Sequence, residues 1–142
     1  MSQAAYRQAA ADFLTEYAGY AGVALQMYPA RPRTITPPTG FIDAIRETFT
    51  SFTERHFQRV PLVSVVVVHG LFDSMDAAYQ KDRFVDGFVE WAYEHAHAAG
   101  PNTLIRVSET EDLPDWVPEW IAPDKQRTYY ATQITLEGFG TN

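Results

Sequence analysis

The sequence predicts an α+β domain, with a mostly antiparallel sheet of four to five strands and two helices packed on one face. Three observations carry this reading. Val63, Val65, Val66, Val67 and Val68 make a nearly continuous β-branched run, the pattern of a central strand buried on both faces. Residues 127–137 alternate, with Thr128, Tyr130, Thr132, Ile134 and Leu136 on one side and Tyr129, Ala131, Gln133 and Thr135 on the other. Two further segments repeat apolar residues at three- and four-residue steps, the period of a helix.

The first helix is expected over Ser2–Ala18. Ser2 suits an N-cap, alanines dominate, and Tyr6, Ala9, Ala10, Phe13, Leu14 and Tyr17 share a face, with Gly19 ending it. Val23–Tyr28 reads as a short strand. Pro29, Pro32, Pro37 and Pro38 then forbid a helix, so the following stretch reads as an extended, ordered arm. Phe41–Phe52 fits two patterns. Phe41, Ile42, Ile45, Phe49 and Phe52 suit a helix face, while Phe41, Ile45 and Phe49 share strand parity beside the strand-favouring Thr48, Thr50 and Thr53.

Val60–Val68 is the central strand, and residues 53–59 form its polar approach. His69-Gly70 is expected to turn the chain out toward the next helix. That helix is predicted over Asp73–Ala99, capped by Asp73 or Ser74, with Ala77, Phe84, Val85, Phe88, Trp91, Ala92 and Ala96 as its core stripe and Gly100-Pro101 as its stop. Gly87 inside it costs about 1 kcal/mol against Ala, which close packing on the sheet would explain. Thr103–Thr110 is a strand. Residues 113–124, with Pro114, Pro118 and Pro123 around Trp116 and Trp120, read as a loop with aromatic anchors. The last five residues, 138–142, read as a mobile tail.

A chain of 142 residues predicts one domain, residues 1–142, and its 46% hydrophobic and 14% aromatic content supports a packed core. No apolar run approaches bilayer length, no secretory leader is visible at the N-terminus, and no membrane partner is expected. The absence of cysteine removes disulfides, thiolate zinc sites, iron–sulfur clusters and cysteine nucleophiles. A net charge of −7 argues against a nucleic-acid-binding domain. The charge is unevenly spread. Six acids and no base lie between Glu109 and Asp124, whereas five arginines against three acids lie between Arg31 and Arg59. Two solvated surfaces would account for this, and so would a head-to-tail interface in which unlike patches meet.

The motifs with chemical potential are weak. A hydrophobic strand ending in His69-Gly70 resembles an oxyanion-hole turn, but no serine here has the flanking glycines of a nucleophile elbow, so a small hydrolase using His69 is a minor alternative. Glu94-His95-Ala96-His97 offers metal-ligand types, yet helical residues two apart point away from each other, and no metal or cofactor is expected. Asp82, Asp86, Glu90 and Glu94 recur every four residues as an acidic stripe, either a solvated face or the wall of a channel carrying polyanion. Trp116 and Trp120 read equally as interface anchors or as a plug over the core edge.

Pro37-Pro38-Thr39-Gly40-Phe41-Ile42, Arg59-Val60-Pro61-Leu62-Val63, Leu71-Phe72-Asp73-Ser74, Asp82-Arg83-Phe84-Val85-Asp86 and Gly100-Pro101-Asn102-Thr103 occur in an order and spacing that resembles the tail terminator family of long-tailed bacteriophages. The resemblance spans residues 20–137 and rests on order rather than on one motif. It implies that residues 41–52 and 60–68 form a long hairpin. It implies a virion protein at the head–tail junction, assembled in the bacterial cytoplasm, whose hexameric ring caps the tail tube, ends its growth and meets the head connector while DNA passes through without specific binding. The family offers no catalytic residues to transfer. It implies contacts at the hairpin tip, Arg55, Phe57 and Arg59, and leaves Trp116 and Trp120 unmatched. Another neck or head-closure adaptor subunit is the alternative within the same class, and a soluble small-molecule-binding module is the alternative outside it.

Overall fold

The computed structural model describes residues 3–51, 57–73, 75–95, 106–138 and 140–141. Helix α1 spans Gln3–Ala21 and strand β1 Gln26–Tyr28. Strands β2 (Thr39–Ser51) and β3 (Phe57–Leu71) follow, then helix α2 (Ala77–Glu94), β4 (Arg106–Trp116), a 3-10 turn at Pro123–Lys125, β5 (Tyr129–Glu137) and β6 (Gly140–Thr141). The sheet order is β1-β2-β3-β5-β4, with β6 beside β3. The architecture is α+β, as expected, and β2–β3 is a long antiparallel hairpin. The sheet is mixed, because β1 runs parallel to β2. The proline arm between them crosses over rather than turning back, and a crossing connection makes neighbours parallel.

Several boundaries move for local reasons. Helix α1 runs through Gly19, and Gly22 ends it at φ +71°, with the Val23 amide donating to Ala18 O at 2.9 Å. This is a Schellman stop, which needs the left-handed residue that only glycine adopts cheaply. β3 does not stop at His69. It bulges between Val68 and Gly70 and continues to Leu71. The N-cap of α2 is therefore Asp76, whose side chain makes no capping bond, and not Asp73. β4 extends to Trp116 past Pro114, because an edge strand tolerates a missing donor on its open side. The segment expected to be a loop from Leu113 is thus partly strand. Residues 52–56, 74 and 96–105, which include the hairpin tip and the expected end of the long helix, lie outside the described residues.

Within the stretch expected to be a mobile tail, residues 140–141 form β6 beside β3. Gln58↔Thr141 continues the register set by Leu62↔Glu137, so β6 prolongs β5 after a break. The break sits opposite Pro61, which has no amide hydrogen to offer, although its carbonyl accepts from the Gly138 amide at 2.9 Å. A Cβ on Gly138 would lie 2.7 Å from Pro61 Cγ, so the ring enforces glycine there.

Two cores sandwich the sheet. Val63, Val65, Val67, Ile134, Leu136 and Ile42 face both helices, meeting Tyr6, Leu14, Phe84 and Phe88. Phe41, Val66, Val68, Tyr129 and Ala131 face away, beneath Tyr28, Ile35, Leu113, Trp116 and Trp120. The alternation of the valine strand therefore buries both faces, one under helices and one under the arm and the Trp segment. No described helix is long and apolar enough to cross a membrane.

Candidate functional site

The charge asymmetry of the sequence becomes an asymmetry across the sheet. Helix α1 lies over β1, β2 and β3, and α2 over β3, β5 and β4. Asp82, Asp86, Glu90 and Glu94 are all exposed on α2, on the same flank as edge strand β4 with its exposed Glu109, Glu111 and Asp112. At the other edge β1 covers only Thr39–Phe41 of β2, which leaves the rest of that strand without a partner among the described residues. Arg46 stands exposed on this stretch with no described ion-pair partner. Arg31 pairs with Asp43 at 2.9 Å beside it.

The hairpin residues are placed differently from expectation. Phe57 and Arg59 belong to β3 rather than to a tip, and Arg55 lies outside the described residues. Arg59 makes two hydrogen bonds of 2.8 Å to Glu47, whose side chain is only 2% exposed, and its guanidinium lies 5.7 Å from the centre of the Tyr6 ring. The bidentate bond holds the Glu47 carboxyl below its usual range. Arg59 is thus a clamp between the hairpin and α1. Beyond it Phe49, 60% exposed, and Phe57 meet edge to face at 5.8 Å, an apolar pair near the last described residues of the hairpin.

Trp116 and Trp120 sit together over Phe41, at ring distances of 5.9 and 5.2 Å. Trp120 Nε1 donates to Pro32 O at 2.7 Å, and Arg31 lies 4.9 Å from the centre of its ring. Their rings hold the arm onto the sheet. Both rings remain partly accessible.

His69 points from its bulge to the helical side, 8% exposed and edge-on to Phe84 at 5.5 Å. Its Nε2 lies 3.0 Å from Thr132 Oγ1. Burial, with Lys81 nearby, lowers its pKa to about 4, so the imidazole is neutral at physiological pH. Thr132 is only 1% exposed, so this hydroxyl cannot meet a substrate. Lys81 bridges Asp112 at 2.7 Å and Asp82. Burial opposes its charge, but these carboxylates outweigh it and raise its pKa. Sequence reasoning missed Lys81, although the signal was present: it falls on the core stripe between Ala77 and Phe84. His95 rests on Trp91 at 4.4 Å with Nδ1 2.8 Å from Trp91 O, at the core edge. His97 lies outside the described residues.

A half-open cleft of about 560 Å³ lies between Tyr17, Gly22, Leu25, Pro38, His69, Gln80, Arg83 and Phe84. No pattern in the sequence announces it, because its walls come from four separate segments. Exposed Met75, just before α2, and Tyr79, Val89 and Tyr93 along it are also unannounced.

These features define a class: an α+β domain on one mixed sheet, whose two open edges differ in charge. No protein-family model and no curated protein matches the chain.

Proposed function

We propose that this chain is a ring-forming structural protein of a phage neck, of the tail terminator kind. It caps the tail tube, ends polymerisation and joins the tail to the head connector. The observation that supports this most is the placement of unlike charge on opposite edges of one sheet. A closed ring needs two different patches on each subunit, one for each neighbour. Opposite charges on these patches steer association and discourage like-to-like pairing. The partners are other copies of the chain, six in a ring by the resemblance, with tail-tube subunits and a head-closure protein above and below. The apolar pair Phe49 and Phe57 suits contact with one of these. The acidic stripe of α2 would repel DNA and let it slide past a wall without sticking.

The test is assembly. Light scattering on purified protein, and negative-stain images with added tail tubes, should show rings of uniform mass at tube ends. A well-folded chain that forms rings in neither setting refutes the proposal. Cross-linking inside virions should join the chain to tail-tube subunits. Links to the head connector alone would assign it to a head-closure adaptor instead.

A further inference from the structure

The two open edges match each other in more than charge, and, on the reading of the chain as a ring subunit, they identify the junction between copies. We infer that β4 of one copy pairs antiparallel with residues 44–51 of β2 in the next, with Arg46 opposite Glu111. The ring would then be a continuous sheet.

Length comes first. The part of β2 left open runs from Ala44, just past its bulge, to Ser51, and the open part of β4 runs from Arg106 to Leu113, just before Pro114. The two runs have the same number of residues, although β4 bulges between Val107 and Glu109, so the regular match runs from Leu113 back to Glu109. Direction comes second. β2 opposes β3, β3 opposes β5 and β5 opposes β4, so β2 and β4 point in opposite senses within one copy. Rotation about a ring axis preserves that relation, so the junction is antiparallel.

Face comes third. Ala44 and Arg46 pair with Ser64 and Leu62, in step with Phe41 and Val66, so they project on the face under the Trp segment. Glu109 and Glu111 pair with Thr135 and Gln133, in step with Ala131, and project on the same face. Arg46 and these two carboxylates therefore meet across a junction that keeps the faces continuous.

Register comes last. Placing Ala44 against Leu113 sets Arg46 against Glu111 and Thr48 against Glu109. On the other face, Ile45 meets Asp112, whose charge Lys81 already holds, and Glu47, held by Arg59, meets Thr110. The ladder ends where both strands lose their capacity for it. Pro114 has no donor, β2 bulges after Ile42, and Ile42 O already accepts from Arg7 at 3.0 Å. The same acids that accept Arg46 prevent β4 from pairing with a second β4.

The experiment uses the full chain. Arg46→Glu and Glu111→Arg, made singly, should each abolish the ring by light scattering while circular dichroism stays native. Together they should restore it. The protein has no cysteine, so in Thr48→Cys/Glu109→Cys every disulfide or bis-maleimide bridge across the junction must join two copies. Denaturing gels should then show a ladder ending at the mass of the ring. Rings that survive both single charge reversals, or that give no ladder, or single variants that the double does not rescue, overturn this junction and leave the ring itself standing. A chain that stays monomeric, with and without tail tubes, overturns the ring and the junction together.

Discussion

Gly87 sits in the middle of α2, where Ala would favour the helix by about 1 kcal/mol. The structure explains the glycine by contact with α1 rather than with the sheet. A Cβ there would collide with the hydroxyl of Tyr17. That hydroxyl donates to Phe84 O at 3.1 Å, and Tyr17 is 3% exposed, wedged against Phe84 and Phe88 at 5.2 Å and Trp91 at 5.5 Å. Gly87→Ala must push the ring aside, stranding a buried donor at about 1–3 kcal/mol and straining packed rings by about as much. Set against the helix gain, the variant should lose about 1–5 kcal/mol. Tyr17→Phe removes the hydroxyl, and the nearest remaining ring atom, Cζ, lies at an ordinary 3.5 Å. In that background Gly87→Ala should stabilise by up to about 1 kcal/mol. The four proteins of this cycle, unfolded in urea and followed by circular dichroism and tryptophan fluorescence, measure the coupling. Additivity within about 0.5 kcal/mol would refute the contact as the reason for the glycine.

Other predictions follow from single sites. Because the pKa of His69 is lowered to about 4 from 6.5, the unfolded chain takes up a proton that the folded one refuses. His69 stabilisation is therefore full above pH 6.5 and falls as pH drops toward 4, by about 3 kcal/mol in all, and His69→Gln should flatten that part of a stability–pH curve. Lys81→Met should raise the His69 pKa, read from its imidazole proton shifts in NMR, because Lys81 is one of the two influences that lower it; an unchanged titration would remove Lys81 from the account. Gly138→Ala should cost about 1–3 kcal/mol in urea unfolding, since Pro61 is rigid and buried. Trp120→Phe loses the bond to Pro32 O and should increase proteolysis within the arm before global unfolding begins.

The central elements were legible because their periodicity is local. The valine strand, the alternation of β5 and the helical stripes each declare themselves within a dozen residues. What stayed hidden depends on distant partners. The parallel placement of β1 follows from where the arm crosses, and that path is fixed by Asp43 just beyond the arm and by Trp120, remote from it in sequence. Gly138-Phe139-Gly140 looks like a loose end, yet β6 pairs because β3 extends back to Phe57 and offers it an edge. His69 looked like a turn residue. Its bulge instead inserts it into the core, which the sequence cannot distinguish from an exit. Arg59 looked like a surface contact until Glu47, the residue opposite Pro61, bound it.

The arm and the open edge are two consequences of one segment. Its four prolines, Pro29, Pro32, Pro37 and Pro38, cannot supply a regular run of donors to a ladder. The chain after Tyr28 therefore leaves the edge of β2 and crosses the face beneath Trp120, so β1 is short and most of β2 is left open. An exposed edge of this length is normally an aggregation hazard, and its Thr, Arg and Glu side chains alone are modest protection. Retaining it makes physical sense if something covers it. The complementary strand is at the far side of the same sheet, similar in length, with exposed carboxylates to meet Arg46, and ended by its own proline. A closed ring satisfies both edges with one repeated contact, whereas any open stack leaves one of each exposed at its ends.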